Sequence, residues 1–269
     1  MNYRHSFHAG NFADLVKHAV LISLTRALAP KGSLTVVDTH AGAGLYDLDG
    51  DAKRSREAEE GVLRLMGADD LPEPLARLKA EVRALNPDGR TRWYPGSPLL
   101  AARLMGEGRY LGFELNPPVA EALKDALADQ TDAEAIEGDG YERAPTACRA
   151  PGLLLIDPPF ERPDDYLRAA ECAAETRRLR PGVAVAIWTP LKDLETFDGF
   201  LRALAKAGAG EALVVEARLR PLLNPMKMNG CAMVLIGAPG GVEAEARATA
   251  EWVVANLGDA GGKPNVWRT

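Results

Sequence analysis

Apolar positions along the chain fall into two alternating kinds of run. Short β-prone blocks recur at Ser33–Asp38, Arg109–Glu114, Glu134–Asp139, Leu153–Asp157, Val183–Thr189, Ala212–Leu219 and Cys231–Gly237. Between them lie longer segments with apolar residues at helical spacing. Phe12, Leu15, Val16, Val20, Ile22, Leu24 and Leu28 mark a helix from Asn11 to about Ala29, stopped by Pro30-Lys31-Gly32. Pro117–Asp129, Asp164–Leu179, Leu194–Lys206 and Val242–Leu257 read the same way. Strand–helix alternation predicts an α/β fold: a mainly parallel sheet of seven strands with helices on both faces. The last two strands are joined without a helix, so one of them is expected to run antiparallel. Residues 47–92 are charged, mostly helical and broken by Pro and Gly, and they read as a small inserted subdomain between strands one and two.

The 269 residues, 46% hydrophobic and 26% charged, suffice for one large domain spanning 1–269. No segment approaches the run of about 18 apolar residues that a membrane-spanning helix needs. The opening Met1-Asn2-Tyr3-Arg4-His5-Ser6 lacks the apolar core of a signal peptide, so a cytoplasmic protein is expected. Cys148, Cys172 and Cys231 lie far apart with no CxxC spacing, which fits reduced thiols and neither a disulfide framework nor a zinc site. A net charge of −6 weighs mildly against a nucleic-acid binder, although a local basic face is compatible with it.

The most informative stretch is Gly152-Leu-Leu-Leu-Ile-Asp157-Pro158-Pro159-Phe160. A buried strand of this kind ends where open α/β sheets place their ligands. The two prolines stiffen the turn and lack amide donors, leaving its carbonyls as acceptors. Asp157, a Pro158 carbonyl and the Phe160 face suit an exocyclic amine on a flat ring, as on adenine. A strand ending in a proline turn with a solvated acid is the plainer alternative. The first strand runs into Asp38-Thr39-His40-Ala41-Gly42-Ala43-Gly44, a turn where glycines let backbone approach a ligand. The third glycine of a dinucleotide fingerprint is missing, and an ordinary tight turn also accounts for the pair. Glu114, at the end of strand two, has the position of a ribose-binding carboxylate. Asp139-Gly140 ends strand three, so Asp38, Glu114, Asp139 and Asp157 are expected to rim one sheet edge. An acidic rim disfavours phosphate-rich cofactors and favours a cationic one such as S-adenosylmethionine.

With the Asp-Pro-Pro-Phe turn added, the chain resembles a Rossmann-like class I S-adenosylmethionine-dependent N6-adenine methyltransferase. Tyr3-Arg4-His5-Ser6-Phe7-His8-Ala9-Gly10-Asn11, Ala13-Asp14, Lys17-His18 and Tyr94-Pro95-Gly96-Ser97-Pro98 are similar to segments of the RlmJ family, which methylates one adenine of 23S ribosomal RNA. The resemblance implies that His18, His40, Gly42, Ser97, Glu114, Asp139 and Gly140 contact the cofactor. It also implies that Asp157 is the catalytic acceptor, assisted by Pro158 and Phe160, and that Tyr3, with Arg4 beside it, touches RNA. That family usually carries Tyr where this chain has Phe160, so stacking is kept and a hydroxyl is lost. The expected partner is 23S ribosomal RNA, with no metal, no membrane and a monomeric protein.

The four histidines, His5, His8, His18 and His40, match no standard metal-binding spacing. A lone helical histidine such as His18 also fits a purely structural role. Lys17, Lys53, Arg54, Arg56, Arg218, Arg220 and Lys227 are further candidates for phosphate contacts beside Arg4. Alternative activities are N6-adenine methylation of DNA or another RNA, methylation of a protein glutamine, a catalytically silent RNA-binding fold, and a nicotinamide oxidoreductase.

Overall fold

The computed structural model describes residues 7–269. α1 (Phe12–Leu28) comes first, and Asn11 caps it, its side-chain oxygen accepting from the Ala13 and Asp14 amides at 2.9 and 3.0 Å. β1 (Leu34–Asp38) follows. β2 (Leu45–Asp47) and β3 (Trp93–Pro95) pair antiparallel in a small separate sheet and enclose α2 (Ala52–Ser55), α3 (Val62–Gly67) and α4 (Glu73–Leu85). Then come α5 (Ser97–Leu104), β4 (Gly108–Glu114), α6 (Pro117–Leu127), β5 (Ala133–Glu137), α7 (Gly140–Ala147), β6 (Gly152–Ile156) and α8 (Asp165–Leu179). β7 (Val183–Leu191), α9 (Leu194–Ala207), β8 (Ala212–Arg218), β9 (Gly230–Ile236), α10 (Val242–Leu257) and β10 (Lys263–Arg268) complete the chain.

The main sheet has the order β10-β8-β9-β7-β6-β1-β4-β5. β5, β4, β1, β6 and β7 run parallel to one another. β9 lies antiparallel between β7 and β8, as a connection without a helix requires. The sequence pattern predicts seven strands with one reversed; the sheet has eight, because β10 adds antiparallel to the outer edge of β8. Its Lys-Pro-Asn-Val-Trp-Arg sequence carries a proline and two charges, features that protect an edge and blur the alternation by which strands are recognised.

Side chains alternate between two cores. Leu153 and Leu155 of β6 with Ala184 and Ala186 of β7 face one core, shared with α1, α4 and α10. Leu154 and Ile156 with Val183, Val185 and Ile187 face the other, shared with α7, α8 and α9. β6 is buried along its whole length, which explains its unbroken apolar sequence. α1 packs on β6 and β9 beneath α4, α5 and α10. It is buried around almost all of its circumference, and the Lys17 and His18 that it carries inward meet polar partners there.

Candidate active site

The strand-end acids converge, but not at one level. Asp38 pairs in register with Gly112 of β4 and Leu155 of β6, so Glu114 and Asp157 each stand two residues further along. At about 3.3 Å per residue, Asp38 lies roughly 7 Å beneath them. It is fully buried. Its Oδ1 accepts the His40 amide at 3.1 Å, and its Oδ2 accepts the Ser97 hydroxyl at 2.8 Å and the Tyr110 hydroxyl at 3.4 Å. Burial pushes the Asp38 carboxyl up to about 6, against the Ser97 hydrogen bond, with the Asp157 charge adding to the rise. Asp38 is therefore a buttress under the turn and not part of the rim. Ser97, a predicted cofactor contact, is engaged by it.

Above Asp38 the glycine turn closes onto β4. Gly42 has φ +64°, and a Cβ there would collide with the Tyr46 hydroxyl, so glycine is required twice over. The Gly42 amide donates to Glu114 Oε2 at 3.0 Å, and Glu114 Oε1 accepts the Asn116 amide at 2.9 Å. Asp139 caps α7 through the Tyr141 amide at 2.9 Å and accepts from Arg168 Nη2 at 2.8 Å. Burial opposes ionisation of Asp139, but the Arg168 guanidinium outweighs it and holds the carboxyl below its usual range. Arg168 also lies over the Tyr141 ring, 4.5 Å from its centroid. A Cβ on Gly140 would strike the Thr39 carbonyl oxygen, so the first residue of α7 sits against the turn after β1. His40 meets Tyr141 edge-on at 4.6 Å and pairs through Nδ1 with the Thr39 hydroxyl at 2.7 Å. Burial lowers His40 to about 4, against the Asp157 and Asp139 charges, so it is neutral near pH 7.

His40, Gly42, Glu114, Asp139 and Gly140 thus gather where β1, β4 and β5 end. Carboxylate acceptors beside glycine backbone fit a cofactor rich in hydroxyl and ammonium donors, which is the chemistry of S-adenosylmethionine. His18 stands on α1, 1% exposed, with Nδ1 2.8 Å from the Tyr94 hydroxyl. Sequence reasoning missed Arg168, Tyr141 and Tyr46, because nothing in their local sequence distinguishes them from other helical or loop residues.

Asp157 follows β6 directly. Lys17 Nζ reaches its Oδ2 at 2.7 Å and Asp14 Oδ1 at 3.0 Å, forming a buried carboxylate–ammonium–carboxylate chain from α1 to the turn. Burial disfavours the Lys17 ammonium, yet the two carboxylates outweigh it and hold its pKa well above the usual lysine value. Lys17 is only 4% exposed, which corrects its reading as a phosphate contact. The available signal was a cation inside an otherwise apolar helix face, which requires a buried counter-charge. Among the described residues no donor reaches Asp157 Oδ1. Pro158 is buried, and Phe160 is half-buried in the left-handed region at φ +50°. Non-glycine residues pay about 1–2 kcal/mol for that conformation, and such strain clusters at functional turns. The Phe160 ring lies 4.5 Å from Tyr166 and 6.0 Å from Trp188.

Tyr3 and Arg4 lie outside the described residues. Of the other basic candidates, Arg56 pairs with Glu59 at 2.9 Å, Arg218 with Glu216, and Arg220 with Asp259 at 2.8 Å. Among the described residues, no group of three or more His, Cys, Asp or Glu is placed to hold a metal ion, and no helix is long and apolar enough to cross a membrane.

The family model described as "Ribosomal RNA large subunit methyltransferase D, RlmJ" matches residues 31–269. The chain is 34% identical to "Ribosomal RNA large subunit methyltransferase J" of Escherichia coli K12, over 97% of this chain and 95% of that protein. It is 32% identical to the protein of the same name from Haemophilus influenzae, over 91% and 90%. Among solved structures it is similar to protein LPL1258 from Legionella pneumophila, with a TM-score of 0.87 at 24% identity, covering 97% of this chain and 98% of that one. This last likeness concerns the fold.

Proposed function

The chain belongs to the RlmJ family of ribosomal RNA large subunit methyltransferases, and from that premise we propose that its Asp157–Phe160 turn presents N6 of an adenine in 23S ribosomal RNA for methylation. The observation that carries this reading is the turn itself: Lys17 fixes Oδ2 of Asp157, while Oδ1 meets no donor among the described residues. His40, Gly42, Glu114, Asp139 and Gly140 form the cofactor side, with Ser97 holding Asp38 beneath the turn and His18 completing the set from α1. Bound S-adenosylmethionine supplies an electrophilic methyl group on a sulfonium.

The adenine N6 lone pair is delocalised into the ring and is a poor nucleophile. Asp157 Oδ1 and the Pro158 carbonyl accept its two N–H bonds, which draws the nitrogen toward tetrahedral geometry and aims the lone pair. Phe160 stacks on the extruded base, with Tyr166 and Trp188 backing its ring. Positioning and exclusion of water account for the acceleration, and Asp157 need not take a proton before attack. As the N6–methyl bond forms, the methyl–sulfur bond of the donor would break with its electron pair left on sulfur, and the extra N6 proton would then pass through the Asp157 carboxylate to solvent. Residues 47–92 act in this reading as an inserted subdomain that covers α1, and Tyr3 and Arg4 meet the RNA.

The test is methyl transfer to protein-free 23S ribosomal RNA, with N6-methyladenosine identified by mass spectrometry. Asp157→Asn is expected to lower kcat by about 10²–10³, as losing one positioned polar group does, with cofactor affinity unchanged. Near-wild-type turnover in that variant would exclude the assignment.

A further inference from the structure

Six large apolar side chains are exposed among the described residues, and five of them sit at the end of the sheet that carries the site. Leu115 follows β4, Leu167 lies in the first turn of α8, and Leu194 begins α9. Leu223 and Met226, 85% and 89% exposed, occupy the β8–β9 loop. That loop is anchored to the strand next to β6. The Asn229 amide donates to the Leu191 carbonyl at 2.9 Å, and Asn229 Nδ2 donates to the carbonyls of Lys192 at 2.9 Å and Asn224 at 2.8 Å. Pro221 and Pro225 stiffen it further. Two large side chains held out by a stiff, anchored loop, beside a site that handles an extruded base, ask for an apolar occupant. The flanking charge says which kind. Lys192 and Lys227 are both exposed, and neither makes an ion pair with another described residue.

We propose that the 221–228 loop is a base-step wedge: Leu223 and Met226 insert against the RNA stack that the target adenine leaves, while Lys192 and Lys227 meet the flanking phosphates. Apolar residues on protein loops open nucleic-acid stacks in this way, and unstacking a base costs a few kcal/mol that wedge contacts offset. The stiffness of the loop means little conformational freedom is lost on binding. The inference rests on the ribosomal RNA reading of the site.

The experiment measures methyl transfer to 23S ribosomal RNA transcribed in vitro, by the wild type, Leu223→Ser/Met226→Ser, Leu223→Met/Met226→Leu, and Lys192→Gln/Lys227→Gln. The serine pair is expected to raise the RNA KM about tenfold, the size of one lost base contact. Its S-adenosylmethionine affinity by calorimetry and its Tm stay at wild-type values. The apolar swap stays within about twofold of wild type. The glutamine pair flattens the dependence of log KM on log salt by roughly two, one for each phosphate. An unchanged RNA KM in the serine pair overturns the wedge. So does a wild-type dimer in sedimentation velocity that the serine pair dissociates, since the patch would then be a contact between copies. No methyl transfer by the wild type removes the ribosomal RNA reading itself, a result distinguishable from loss in the variant alone.

Discussion

Replacing Lys17 with Met tests the hidden support of the site most directly. The side chains of Asp14, Lys17 and Asp157 are 4%, 6% and 14% exposed, and together they carry one net negative charge. Met keeps the length and apolar stem of Lys17 and removes only the ammonium, leaving two carboxylates facing each other with little water. Breaking a buried ion pair from one side costs about 3–5 kcal/mol, a large part of a total stability of about 5–15 kcal/mol. At about 3 °C per kcal/mol for a domain of this size, Tm falls by roughly 10 °C. Asp157→Asn leaves a neutral Asp14–Lys17 pair and is expected to cost about 1 kcal/mol or less. The double variant Lys17→Met/Asp157→Asn holds one carboxylate in place of two, so it is more stable than Lys17→Met alone. Urea unfolding of all four proteins completes the cycle, and a coupling of about 2 kcal/mol is expected. A Lys17→Met protein within about 1 kcal/mol of wild type, with coupling below about 0.5 kcal/mol, would refute the buried chain as the holder of Asp157.

Asp38 and His40 shape the acid side of the stability profile in opposite senses. Asp38, pushed up to about 6, stays protonated in the fold where the unfolded chain ionises, so its contribution is lost as pH rises from about 4 to 6. His40, lowered to about 4, stays neutral in the fold where the unfolded chain is charged, so its contribution is lost as pH falls from about 6.5 to 4. Urea midpoints across this window should therefore fall more steeply with acid in Asp38→Asn than in wild type, and less steeply in His40→Gln. Each difference reaches up to about 3 kcal/mol. Phe160→Ala removes the stacking face and is expected to raise the RNA KM by about tenfold or more, while Phe160→Tyr keeps it near wild type; equal KM values in Ala and Phe would remove the stacking role. Gly140→Ala drives a methyl into the Thr39 carbonyl, and calorimetry should show S-adenosylmethionine affinity down by at least about tenfold, with about 1–3 kcal/mol of stability lost to overpacking.

The sequence by itself determined the alternation of strands and helices, the reversed strand near the C-terminus, and the turn that follows β6. These are local signals: period-two and period-3.6 patterns, proline turns, and apolar runs too short for helices. α10 matches its expected span, Val242–Leu257, because its periodicity and both of its flanking glycine turns are sequence-local. β10 escaped because an edge strand need not alternate, and α7 because Pro145 interrupts its pattern. The positions of Glu114, Asp139 and Asp157 at strand ends were readable, but their depth was not. Register between strands alone decides that Asp38 lies beneath the rim. Only the tertiary structure brings Lys17 to Asp157 across 140 residues of chain, sets Arg168 on Asp139, and gathers exposed leucines and Met226 at one end of the sheet. Such pairings depend on which faces pack together, and no residue's neighbours in sequence carry that information.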